Sequence, residues 1–419
     1  MDRAGPALFR LVMTWRMRTP PLYVPSHKSA QVPMDPYDAE HDAEYDVVVA
    51  SLWRSHRQHV VAGLCHAGLR VLVLESLLRP VGAESRRLCL SGLALAQLRR
   101  IVPASRRDAV LFGAYRRLDA FAARHCRLGS AFWGWSGQAL SALESARRQG
   151  IPAILDCGST HVGWFARRIS QEQALHGSGS TFQFAQIQLH QRMQREYAAA
   201  DAVCVPSGFV ASTFLKAGFP EERLRVNPYG VDAGFWQPTG ESPIRRERPF
   251  RAVFTGSLLL RKGLWYLLEA WKKLSPKDAE LVLVGNTYPD AHHLLRNLPA
   301  DIKRIGRIDH ASLRDLYARS DLFVLPSLEE GMSRAVLEAM AAGLPVLVTR
   351  ETGVTELLVD GEDGWIVTSA DTDALAQSLE RAIVRRDQLP EMGRSARRRV
   401  IPLSWEAYGA RAARVLHSL

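Results

Sequence analysis

Hydrophobic positions in this chain, from about residue 45 onward, fall into short unbroken runs separated by amphipathic stretches. VVVAS (47–51) is continuous, which predicts a strand buried on both faces. RQHVVAGLCHAG (57–68) follows with helical spacing, and LRVLVLES (69–76) is the next strand. That βαβ start predicts a parallel sheet covered by helices. Further strands are predicted at AFWGWS (131–136), IPAILD (151–156) and DAVCVPS (201–207). Between them lie a helical arginine-rich segment, a helix to about Arg148, a long helical stretch over 170–199 and a helix ending at Gly218.

A second series starts at RAVFTGS (251–257). It continues through a helix at LWYLLEAWKKL (264–274), a strand at AELVLVG (279–285), a helix over 313–320 and a strand at DLFVLPS (321–327). RAVLEAMAAG (334–343) is a helix closed by Gly343, LPVLVT a strand and GWIVT (364–368) a last short one. The end, LSWEAYGARAARVLHSL, is amphipathic, and its helix (404–417) is expected to pack back on the first half. The pattern predicts an α/β chain of two Rossmann-like domains, 45–225 and 226–403, facing each other across a cleft. Small ligands bind at the C-terminal strand ends of such folds. Residues 1–44, rich in Pro, Asp and Ser without periodicity, read as a flexible extension.

Composition adds limits. At 419 residues the chain is long enough for two cores, and 47% hydrophobic with 23% charged residues suits a soluble protein. No apolar run is long enough to cross a bilayer, and MDRAGPALFRLVMTWRMRTPPLY is too broken for a secretory signal, so a cytoplasmic location is expected. Cys65, Cys89, Cys126, Cys157 and Cys204 show no pairing or metal spacing and read as reduced thiols. The net charge of +11 is concentrated: 12 arginines and no lysines lie between Arg86 and Arg148. Nucleic acid, an anionic bilayer, an anionic substrate or a merely solvated helix face would each account for that bias. No nucleic-acid-binding module accompanies it, and no nucleic-acid partner is expected.

The candidate chemistry lies in LEEGMSRAVLEAMAAGLPVLVT, which runs from Leu328 to Thr349. Glu330 and Gly331 follow a strand, and Ser333 is positioned to cap the helix after it, an end that attracts anions. Gly331 lets a ligand approach the backbone, and Glu338 is placed to accept hydrogen bonds from a ribose diol. The plainer alternative leaves Glu329 and Glu330 as partners of the helix dipole and Glu338 as a solvated residue.

EGMSRAVLEAMAAGLPVLVTRETGVTELLVDGEDGWIV closely resembles the donor-binding signature of glycosyltransferase family 4, retaining transferases of the GT-B fold. ADAVCVPSGFVASTF, VNPYGVD, FTGSLLLRKGLWYLLEAW and SDLFVLPS agree with it in order. The resemblance implies that Glu330 contacts the donor sugar and Glu338 the ribose, with Met332 and Ser333 meeting the diphosphate. The family's GR-x4-KG segment reads GSLLLRKG here, so Lys262 matches and Ser257 replaces the arginine. Arg261 is the residue placed to supply that charge. Gly256, Ser257 and Arg307 from one side, and Gly331, Met332, Ser333, Arg334 and Glu338 from the other, are the implied donor-binding set. DCGSTH (156–161) resembles a D-x-GS-x-H form of some bacterial members, which makes His161 the candidate for contact with the transferred sugar. The family's glycine-rich turn is absent from SLWRSHRQH, leaving Arg54, His56 or His59 to act there.

The resemblance implies metal-independent hexosyl transfer from a UDP- or GDP-linked donor, with no cofactor, to a glycan or lipid-linked acceptor in cell-surface polysaccharide synthesis. Residues 86–127 would then touch the anionic inner face of the membrane. The DTD at 371–373 superficially matches an Mn²⁺-binding motif, but it opens the helix ALAQSLERAI, where Asp is an ordinary N-cap. A catalytically weak nucleotide-sugar-binding subunit and a nucleotide-sugar epimerase of the same fold are the alternatives.

Overall fold

The computed structural model of the protein describes residues 43–51, 57–75, 84–87, 107–177, 184–238 and 248–419. The first half is built on seven parallel strands. These are β1 (Val47–Ala50), β2 (Val71–Glu75), β3 (Glu84–Arg87), β4 (Phe132–Trp135), β5 (Ala153–Asp156), β6 (Ala202–Val205) and β7 (Leu224–Val226). Their spatial order is β3-β2-β1-β4-β5-β6-β7. Every residue of β1, β4, β5 and β6 is buried, which is why the apolar runs do not alternate. The helices are α1 (Arg57–His66), α2 (Arg107–His125), α3 (Leu140–Arg148), α4 (Val162–His176), α5 (Phe184–Ala199) and α6 (Gly208–Leu215).

The second half repeats the plan with β8 (Phe250–Thr255), β9 (Ala279–Val284), β10 (Ile302–Ile305), β11 (Leu322–Leu325), β12 (Val346–Thr349) and β13 (Gly364–Val367). All are parallel, in the order β10-β9-β8-β11-β12-β13. Helices α7 (Leu264–Leu274), α8 (His310–Ala318), α9 (Arg334–Ala341), α10 (Thr372–Val384) and α11 (Leu389–Val400) accompany them. The expected pair of Rossmann-like α/β domains facing across a cleft is therefore present. Each sheet reverses its winding once, between β1 and β4 and between β8 and β11, and ligand crevices form at such points. The last helix, α12 (Trp405–His417), crosses back to lie on α1.

Several elements differ from the sequence expectations. The stretch 170–199 is two helices: α4 starts at Val162, and α5 starts at Phe184. The arginine-rich segment is not helical at its start, because Arg86 and Arg87 belong to β3 and pair with β2. Its residues 88–106 lie outside the described residues, as do Arg54, His56 and Cys89. Strand β10, which ends at Ile305, is a sheet edge with three of its four residues exposed. An edge strand needs no apolar run, so it leaves little trace in the sequence. Helix α11 escapes the pattern because Pro390 and Gly393 read as breakers, although Pro390 falls in the first turn, where proline is tolerated.

Candidate active site

Where β11 ends, the chain turns through Ser327–Ser333 into α9, directly across from the turn after β8 that carries Arg261 and Lys262. Gly263 makes that approach possible: its φ is +70°, and a Cβ there would overlap the carbonyl of Pro326. The two cations thus meet two carboxylates. Lys262 pairs with Glu330 Oε1, Arg261 Nη1 lies 3.5 Å from the same oxygen, and Ser327 Oγ donates to it at 3.2 Å. Arg261 Nη1 also donates to Glu329 Oε2 at 2.8 Å and to the Glu329 carbonyl at 2.7 Å.

Electrostatics follow from this geometry. Burial pushes the Glu330 acid up, but Lys262 and Arg261 outweigh it and hold the pKa below the usual range. Burial pulls Arg261 down, yet Glu330 and Glu329 leave it above its ordinary value. For Lys262 burial wins over Glu330, and its pKa is lowered.

Glu329 was grouped in the sequence only with helix-dipole partners, and no local signal marks it. It is fully buried, and its Oε1 accepts from Ser159 Oγ (2.7 Å), Thr160 Oγ1 (2.9 Å) and the Thr160 amide (3.1 Å) of the first half. Gly331 faces the same loop: a Cβ there would overlap the Gly158 carbonyl. The close approach that Gly331 permits is made by the chain itself. Ser207 Oγ adds a 2.7 Å bond to the Gly331 carbonyl.

Ser333 occupies the N-cap position of α9, but its side chain makes no capping bond there. The amides of Glu330 and Ser333 are taken by the carbonyls of Glu351 and Thr352. Met332 is buried and its Sδ receives the Tyr229 amide at 3.2 Å. Gly256 and the half-buried Ser257 stand at the end of β8, with Gly256 beside the Lys262 stem. Arg307 is exposed in the loop after β10 and is not among the residues lining the cavity described next.

His161 is the N-cap of α4, its Nδ1 accepting from the Gly163 amide at 3.2 Å. That bond makes Nδ1 an acceptor, which leaves the proton of the neutral ring on Nε2. The ring packs against Tyr197 and Phe214, and burial lowers its pKa.

One turn along α9 a cavity of about 270 Å³ is lined by Gly230, Val231, Asp232, Phe235, Trp236 and His310, with Arg334, Glu338 and Trp405 closing it. Arg334 lies 3.7 Å from Glu338 and over the Trp405 ring, and Trp405 stacks on His59 of α1 at 3.8 Å. Burial pushes the Glu338 acid up to about 7, with Arg334 only partly offsetting it. Sequence reasoning reached Glu338 and Arg334 but not the aromatic wall, whose members come from three separate segments. Among the described residues no cluster of three or more His, Cys, Asp or Glu is arranged for a metal, and Asp371 caps α10 through the Ala374 amide at 2.9 Å.

Residues 249–384 match the family model described as Glycosyl transferases group 1. The chain is 30% identical to an MMP alpha-(1->4)-mannosyltransferase of Mycolicibacterium hassiacum over 55% of its own length and 56% of the relative's. It is 26% identical to a sulfoquinovosyl transferase of Arabidopsis thaliana over 64% and 52%. The chain spans about half the length of the curated relatives it matches. Among solved structures, a sucrose-phosphate synthase of Thermosynechococcus elongatus superposes with a TM-score of 0.66 at 19% identity, covering 89% of this chain and 98% of that one. The Anabaena protein HepE in complex with UDP and glucose gives 0.64 at 16% identity, over 90% and 100%. The fold is GT-B.

Proposed function

We propose that the chain is a glycosyltransferase that moves a hexose-type sugar from a UDP- or GDP-linked donor to a glycan or lipid-linked acceptor. The carrying observation is the cavity beside Glu338, which joins aromatic walls to that carboxylate on α9, the helix whose preceding loop holds Arg261 and Lys262 through Glu329 and Glu330. The group 1 match over residues 249–384 supports the same reading. So do relatives named for polysaccharide synthesis, among them the amylovoran biosynthesis glycosyltransferase of Erwinia amylovora.

In this reading the nucleoside occupies the cavity and the ribose donates to Glu338. Breaking the sugar–diphosphate bond leaves negative charge on the departing phosphates and positive charge on the sugar ring. Arg261 and Lys262 stabilise the first and Glu330 faces the second. His161, with its proton on Nε2, is a donor on the first-half side. Retention of configuration, independence of metal and action at the inner membrane face, through exposed Arg116, Arg117, Arg124 and Arg127, belong to the same proposal.

Thermal unfolding with saturating UDP, GDP and ADP tests it. At a hundredfold over Kd, one nucleotide should add about 2.7 kcal/mol to the wild type and far less to Glu338→Ala. Equal shifts in both proteins would remove Glu338 from the site. Binding without turnover of any sugar nucleotide would favour a non-catalytic subunit.

A further inference from the structure

Arg261 and Lys262 face two carboxylates, Glu329 and Glu330, so the group is neutral as it stands. A diphosphate entering it would bring further negative charge into a site largely withdrawn from water, where uncompensated charge is costly. One carboxylate has to give way. Glu330 is held by Ser327, Lys262 and Arg261, all in the second half. Glu329 is divided: Oε2 faces Arg261, while Oε1 takes three hydrogen bonds from Ser159 and Thr160 in the first half. Arg261 would keep its position without that carboxylate, because Nη1 also donates to the Glu329 backbone carbonyl. A guanidinium so held suits phosphate oxygens as well as it suits a carboxylate.

We propose that Glu329 is an internal counter-anion, displaced from Arg261 by the diphosphate of the donor and left on its partners in the 158–160 loop of the first half. Glu329 is thus a positioning residue that keeps Arg261 paired until the donor enters. The proposal rests on the reading of this site as a diphosphate site. It explains why Arg261, beside Lys262, is accompanied by a second, fully buried acid.

The test is calorimetric titration of the full chain, wild type and Glu329→Gln, with UDP, GDP and ADP, the matching nucleosides, and pyrophosphate. The amide keeps the size of the side chain but ends charge competition for Arg261. At least one nucleoside diphosphate, and pyrophosphate, should bind the variant about 5- to 10-fold more tightly, the gap between a charged and a neutral hydrogen bond. The nucleosides should bind both proteins alike. A folded variant that binds the diphosphates equally or more weakly overturns the exchange. Ser159→Ala/Thr160→Val removes two of the hydrogen bonds that hold the displaced carboxylate, without touching a cation, and should weaken diphosphate binding. It decides the question if Glu329→Gln fails to fold, since unchanged affinity there also overturns the exchange. If pyrophosphate alone binds and gains, the counter-anion stands and the nucleotide reading falls. If nothing binds either protein, both fall.

Discussion

Glu338 is charged only at a cost. Its acid is pushed up to about 7 from an ordinary 4.5 because α9 and the cavity wall withdraw it from water. A carboxyl raised on folding binds its proton more tightly in the folded chain. Its contribution is therefore full below the unfolded pKa and is lost as the pH climbs through about 7. The loss is on the order of 3–4 kcal/mol, since each unit is worth about 1.4. Glu196, also pushed up to about 7 by burial, contributes in the same sense, so only a difference isolates Glu338. Between about pH 5 and pH 8 the melting temperature of Glu338→Gln should fall less than that of the wild type. Parallel curves would mean that Glu338 is ionised throughout that range.

Among the elements, α12 shows how a terminal helix joins the halves. Gly63 of α1 and Gly409 of α12 touch backbone to backbone, and a Cβ on either would overlap the other. Arg411 anchors the same helix to Asn227 Oδ1 at 2.8 Å and the Pro228 carbonyl at 2.6 Å. Gly409→Ala forces the helices apart and should cost about 1–3 kcal/mol, read as a lower urea midpoint with unchanged slope. An unchanged midpoint would mean that the helices slide freely. The helix itself was legible as an amphipathic end, whereas the glycine pair was not, because its partner lies more than three hundred residues away. His161 teaches the same lesson. Its motif was visible in the sequence, but its role as cap of α4 depends on where that helix begins.

At the scale of the molecule, the two halves are also clasped by α4. Tyr266 of α7 donates to Glu172, with distances of 2.9 and 3.2 Å to its two oxygens, His176 stacks on Trp265 at 3.8 Å, and Arg168 reaches Ser369 at 3.1 Å. Glu172 is buried, so Tyr266→Phe deprives an acid of its hydroxyl partner at a cost of about 1–3 kcal/mol. That cost is relieved by opening, and the radius of gyration from small-angle scattering should rise relative to wild type. An unchanged radius would show that the clasp does not limit opening.

The amino-acid sequence alone determined the doubly wound halves, because buried parallel strands must be unbroken apolar runs and their helices must be amphipathic. It also singled out Glu330 and Glu338 by their places around a helix start, and Lys262 and Arg261 through the resemblance of their segment. Only the tertiary structure decided what these groups face. The pairing of Arg261 with Glu329, the seat of Gly158 against Gly331, and the aromatic wall around Glu338 each join segments distant in the chain. Local spacing carries no information about such meetings. They are set by how the two sheets come to rest against each other.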